Sequence, residues 1–171
     1  PFHFGRRLAG LIERYGVQRA LYSGGASAPL LSAENWQQVL IQLNQAERRV
    51  TTNNVHSSDW AGFTSAQEAA PLIAQQANDN GLAWVLANKA GWQAEGLPPS
   101  AATRFDLDTP TDLLIAQRHP DIGANLRRFL DGLGWETLHL DSVLAEMERE
   151  GGSLAIAGRA SEAAWTALNR G

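Results

Sequence analysis

The sequence contains no cysteine. Disulfides, thiol catalysis and thiolate metal sites are therefore excluded together. Histidine and carboxylate remain as the strong metal ligands. Long apolar runs are missing as well: none approaches the roughly 20 residues that span a bilayer, so no membrane partner is expected. Basic charge is in short supply, with 14 Lys and Arg against 18 Asp and Glu, for a net charge of -4. Without a broad basic footprint, nucleic acid is not an expected partner. The histidines show neither H-x-x-x-H nor H-E-x-x-H spacing, which argues against zinc. Neither G-x-x-x-x-G-K-[ST] nor G-x-G-x-x-G occurs, and there is no G-x-S-x-G nucleophile elbow.

What is present is globular. Hydrophobic residues make up 44% and charged residues 19% of 171 residues, enough for one domain with a real core. Residues 4–15 carry Phe4, Leu8, Leu11, Ile12 and Tyr15 at helical spacing, closed by Gly16. Residues 17–22 read as a strand, followed by a small-residue loop from Ser23 to Pro29. Ser32 opens a helix over 33–47 with Trp36, Val39, Leu40 and Leu43 on one face. Residues 49–55 read as a strand and 53–60 as a polar loop. Thr64-Ser65-Ala66-Gln67 has the form of a capping box for a helix to about residue 78.

Residues 82–86 form a near-continuous apolar run, as a buried parallel strand would. Residues 91–102 read as a loop and 103–107 as a short strand. Thr109 then caps a helix with Pro110 at its first position, running to about 117. Further helices are expected over 125–130, 138–149 and from a Ser161 cap through 168, with a last strand at 154–157. Alternating helices and strands predict an α/β fold, a three-layer sandwich around a mainly parallel sheet with mixed edges. The expected division is a core over 1–118 and a helical extension over 119–171 packed on it.

Three stretches could carry chemistry. In Phe105-Asp106-Leu107-Asp108-Thr109-Pro110, residues two apart on an extended segment share a face. Asp106 and Asp108 would then present paired carboxylates at a strand end, a donor set that suits Mg²⁺. The bland alternative is that both carboxylates cap turns. Gly24 and Gly25 follow a strand, where glycine permits positive φ and close approach of backbone to a ligand; a tight turn explains them equally. The third stretch gathers Asn54, His56, Ser58 and Asp59 in one loop able to read a polar substrate. Its alternative is a surface loop bonded to its own backbone. Trp60 and Trp92 fall in segments read as loops and are candidates for a ligand wall.

The segment Asp106-Leu107-Asp108-Thr109-Pro110-Thr111-Asp112-Leu113 resembles the D-[IV]-D-T-P-x-D-L signature of MobA-like nucleotidyltransferases. It is most similar to the phospholactate and phosphoenolpyruvate guanylyltransferases. Residues 19–22 and Pro29-Leu30-Leu31-Ser32 look like the central strand and D-x-P-L-L-[ST] turn of that superfamily. The resemblance implies a nucleotide-diphospho-sugar-transferase-like fold and Mg²⁺ held by Asp106 and Asp108. It also implies transfer of a nucleoside monophosphate from a nucleoside triphosphate to a small phosphorylated acceptor. Gly24, Gly25, Ser27, Asn54, His56, Ser58 and Asp59 would bind substrate.

Two departures qualify the resemblance. Ser27 stands where the family has a further metal-binding Asp, and the family's L-x-x-G-G-x-G-x-R phosphate loop is absent. The chain opens at Pro1 without an initiator Met, so a partial domain lacking its nucleotide-binding half is expected. The alternative is a non-catalytic small-molecule-binding or assembly module derived from the same fold, with the 138–149 helix as a homodimer face. A hydrolase built on His56 with Ser57 or Ser58 is a third reading. The expected location is cytoplasmic.

Overall fold

The computed structural model describes residues 2–136, 138–155, 157 and 162–168. The chain forms two compact units, residues 1–107 and 108–171, and each is described by itself.

The first unit runs α1 (Phe4–Tyr15), β1 (Ala20–Ser23), α2 (Ala33–Gln45), β2 (Arg49–Thr52), β3 (Trp60–Phe63), α3 (Ala66–Ile73), α4 (Leu82–Asn88), β4 (Gln93–Gly96) and α5 (Ala101–Arg104). It is an α/β unit with a four-stranded mixed sheet in the order β1-β3-β2-β4. β1 pairs antiparallel with β3, β3 antiparallel with β2, and β2 parallel with β4. The sheet is therefore not mainly parallel in its pairings. Its reversed strand, β3, lies in the interior and not at an edge. The cause is local: the 53–59 loop is short enough to fold β3 straight back beside β2 as a hairpin.

β3 was expected to be loop, yet all four of its residues are buried. Its alternation assigns the faces. Ala61 and Phe63 join Val50, Ile12, Ala69, Ile73, Leu82 and Leu86 in one apolar cluster. Trp60 joins Val39, Leu43, Ala28 and Leu97 in another. A Cβ on Gly62 would stand 2.8 Å from Leu43 Cδ1, so glycine lets α2 lie close on this face. Trp60 and Trp92 are 0% and 5% exposed. They are core residues and not a ligand wall.

The apolar run at residues 82–86 is helical. Leu82, Ala83, Val85 and Leu86 are buried while Trp84 is exposed. That is the one-sided spacing of a helix, which a run this short does not distinguish from a buried strand. The 64–67 capping box does not form. Ser65 sits at φ 48° and makes no side-chain cap. Its hydroxyl donates instead to Glu47 Oε2 at 2.8 Å. α3 stops at Ile73, short of the expected residue 78. The carbonyls of Gln76 and Ala77 are engaged by the first free N–H groups of α1, from Gly5 at 2.9 Å and Phe4 at 3.4 Å. The expected strand at 103–107 is instead α5 followed by one isolated bridge at Asp106. β4 falls inside the segment expected to be loop, held by Arg49, which donates to Glu95 and Gln93.

The second unit contains α6 (Pro110–Arg118), α7 (Ala124–Gly132), α8 (Leu138–Glu148) and α9 (Glu162–Leu168). Thr109 caps α6 and Pro110 opens it, as expected. Arg127 donates to the carbonyls of Gln117 and His119 at the end of α6, where the helix dipole favours a cation. Arg118 and Asp141 pair at 2.5 Å. α8 buries none of its residues. Leu154, Ala155 and Ala157 have no regular structure; Ile156 and the Ser161 cap lie outside the described residues. No helix among the described residues is long and apolar enough to cross a membrane.

Candidate functional site

β1, β2 and β4 run in one direction, so their carboxyl ends share one end of the sheet. In open α/β sheets this is where ligands bind. Three segments leave from it: 24–32 after β1, 53–59 after β2, and 97–106 after β4. Backbone bonds tie them together. Gly24 N–H donates to Asp59 O at 3.1 Å, and Leu97 N–H donates to Thr52 O at 3.1 Å. Ser27 forms an antiparallel bridge with Asp106.

Gly24, Ser27, Asn54, Asp59 and Asp106 are thus brought to one end of the first unit, with Gly25 and His56 exposed beside them. Gly24 and Gly25 do not use positive φ; the left-handed residue of this loop is Ala28, at φ 51°. Gly24 is needed for space, because a Cβ there would stand 2.5 Å from Ser27 Oγ. Around Gly25 there is open space, so its backbone is accessible.

Within the 53–59 loop the organising residue is Asn53. It is 5% exposed, and its amide nitrogen donates to the Asp59 carboxylate. Its amide oxygen accepts from Asp59 N–H at 3.1 Å. Asn54 turns the loop by accepting from His56 N–H at 3.0 Å. Asn53 opens the same polar loop in the sequence, where an amide six residues before a carboxylate across a hairpin is the signal for this role.

Ser58 does not belong to the exposed site. It is 1% exposed, and its hydroxyl donates to the carbonyls of Asp79 and Asn80. It also accepts from Ala83 N–H, supplying a cap that α4 otherwise lacks. Its hydroxyl is thus enclosed by backbone partners. The neighbouring Asp79 accepts from Tyr22 Oη at 2.5 Å. Burial, reinforced by this carboxylate, pushes the Tyr22 hydroxyl well above the usual tyrosine range.

Asp106 and Asp108 fall in different units. Asp106 Oδ1 accepts from Leu107 N–H at 3.0 Å. Asp108 is exposed, and its N–H donates to Asp112 Oδ2. The same Asp112 oxygen also accepts from Thr109 N–H and Oγ1, so Asp112 is a capping residue. Among the described residues no three His, Asp or Glu side chains cluster in a way that could hold a metal. No protein-family model matches the sequence, and no curated protein is significantly similar to it.

Proposed function

We propose that this chain is the acceptor- and metal-binding part of a Mg²⁺-dependent nucleotidyltransferase. The observation that carries this reading is the Ser27–Asp106 bridge. It brings the start of the D-x-D segment to the loop that leaves the carboxyl end of β1. Asp106 and Asp108 would hold Mg²⁺, which supplies charge neutralisation at the phosphates of a nucleoside triphosphate. The accessible backbone at Gly25 and the side chains of Asn54, His56 and Asp59 would orient a small phosphorylated acceptor. In-line transfer asks for positioning and electrostatics more than for acid–base chemistry. The finer fold reading belongs to the same proposal: a three-layer, nucleotide-diphospho-sugar-transferase-like partial domain over 1–118 with an extension over 119–171. An enzyme using nucleoside triphosphates in this way would work in the cytoplasm.

A second reading is a small-molecule-binding module without catalysis. It draws on Ser27, whose hydroxyl is a weaker metal ligand than the carboxylate of the D-x-P-L-L-[ST] pattern. One experiment separates the two. Thermal stability of the full-length protein is measured with GTP, CTP and ATP, each with and without Mg²⁺. A ligand at 100 times its dissociation constant adds about 2.7 kcal/mol. The enzyme reading expects Mg²⁺-dependent stabilisation by one nucleotide and its loss in Asp108→Asn. Stabilisation by a small molecule without nucleotide or Mg²⁺ dependence favours the module.

A further inference from the structure

An anionic acceptor needs a cation, and the three segments at the carboxyl end of the sheet supply only one Lys or Arg. Across residues 24–32, 53–59 and 97–106, Arg104 is the sole Lys or Arg, while Asp59 and Asp106 are both carboxylates. The strand-associated arginines sit at the opposite end and are already occupied. Arg19 pairs with Glu47, Arg48 with Glu68 and Arg49 with Glu95. The three arginines of α1 lie on its exposed side, with Arg14 stacked on the Tyr15 ring at 5.3 Å.

Arg104 differs from all of these. It is the last residue of α5 and is exposed. Among the described residues its side chain makes no ion pair or hydrogen bond. Its backbone, in contrast, is fixed from both sides. Ser100 and Thr103 form a capping box, and Thr103 is buried with its hydroxyl donating to Pro98 O at 3.0 Å. Two residues beyond Arg104, Asp106 bridges to Ser27. α5, held by these bonds, therefore carries an exposed arginine on the segment that runs from β4 to the Ser27–Asp106 bridge. The planar five-donor fork matches the oxygens of phosphate or carboxylate in a way that a point charge does not.

We propose that Arg104 is the specificity-determining residue of this site, taking the oxyanion of the acceptor. The assignment rests on the acceptor-binding part of the reading above. Arg104 is the one Lys or Arg that the three segments offer to an anion. Neutral analogues of the acceptor are then discriminated against, because they leave the guanidinium without a partner.

The test needs neither nucleotide nor turnover. Thermal stability of the full chain is titrated with inorganic phosphate, and separately with acetate, against chloride at constant ionic strength. Wild type is expected to gain stability saturably in at least one arm; response to phosphate alone assigns a phosphoryl group, and response to both assigns any oxyanion. Arg104→Gln should weaken the apparent affinity by about tenfold or more, Arg104→Lys by less, and Arg7→Gln not at all. The proposal is overturned if wild type shows no saturable response, if Arg104→Gln keeps it, or if Arg7→Gln loses it equally. A phosphate response that depends on Arg104, found alongside no nucleotide effect, would remove the nucleotidyl reading and leave this assignment standing.

Discussion

Asn53 grips Asp59 at two points, its amide nitrogen on the carboxylate and its amide oxygen on the backbone N–H at 3.1 Å. Because Asp59 O in turn accepts from Gly24 N–H, this pair also fixes the loop after β1. Asn53→Ala should cost about 1–3 kcal/mol, since it strips partners from largely buried polar groups. Asn53→Asp keeps the shape but sets a second carboxylate against Asp59. One of the two would then hold its proton more tightly in the folded state than in the unfolded state. The penalty relative to wild type should be full at neutral pH and shrink as pH falls towards about 4. Melting curves from pH 7 down to 4 check this. A pH-independent deficit would show that the two side chains do not interact.

Two glycines of α1 should respond to alanine in opposite directions. A Cβ on Gly5 would stand 1.9 Å from Ile73 O and 2.7 Å from Gln76 O, both backbone atoms, whereas around Gly10 there is nothing within 4 Å. Gly5→Ala forces α1 away from α3 and should destabilise by at least the 1–3 kcal/mol typical, roughly, of overpacking. Gly10→Ala lies on an exposed helix interior and should stabilise by about 0.5–1 kcal/mol. Urea denaturation of both variants measures the sign directly. Equal effects would mean that α1 and α3 do not approach this closely.

The helices that announced themselves by caps were legible in the sequence. α1 with its Gly16 terminus, α2 behind Ser32 and α6 behind Thr109-Pro110 all stand close to where expected. The strands were harder. β3 is only Trp-Ala-Gly-Phe, and β4 is Gln-Ala-Glu-Gly with no β-branched residue. Both are strands because neighbours pair with them, and that pairing is non-local. The site was half legible for a related reason. Spacing could gather Asn54, Ser58 and Asp59 in one loop, but not reveal that Ser58 faces inward to α4. The roles of Asn53 and Arg104 depend on which ends of which strands coincide, and that follows from β3 reversing inside the sheet.

Tyr22 gives the fold a predictable alkaline response. Burial and the Asp79 carboxylate raise its pKa above the ordinary value of 10.0. A tyrosine shifted upward binds its proton more tightly when folded. Its contribution is therefore fully present below about pH 10 and is lost as pH rises towards the folded value. Wild type should lose stability relative to Tyr22→Phe above pH 10. The protein has two tyrosines, so in Tyr15→Phe the absorbance titration at about 295 nm reports Tyr22 alone. A midpoint at the ordinary tyrosine value would refute the part-buried Tyr22–Asp79 bond.

Ser57 and Ser58 are adjacent but should behave differently. Ser57 is exposed, while Ser58 closes the 79–83 turn onto the start of α4 through both donated and accepted bonds. Ser58→Ala removes the acceptor of the buried Ala83 N–H, while the Asp79 and Asn80 carbonyls keep the N–H groups of Leu82 and Ser58. It should cost about 1–2 kcal/mol, in the range of a lost helix cap. Ser57→Ala should fall within about 0.5 kcal/mol of wild type, as exposed substitutions do. Chemical denaturation gives both values. A serine-reactive phosphonate should leave the folded protein unlabelled, because the Ser58 hydroxyl is enclosed and, among the described residues, no base is hydrogen-bonded to the Ser57 hydroxyl. Labelling at Ser58 without loss of stability would show that its hydroxyl is free, and would return the loop to the list of catalytic candidates.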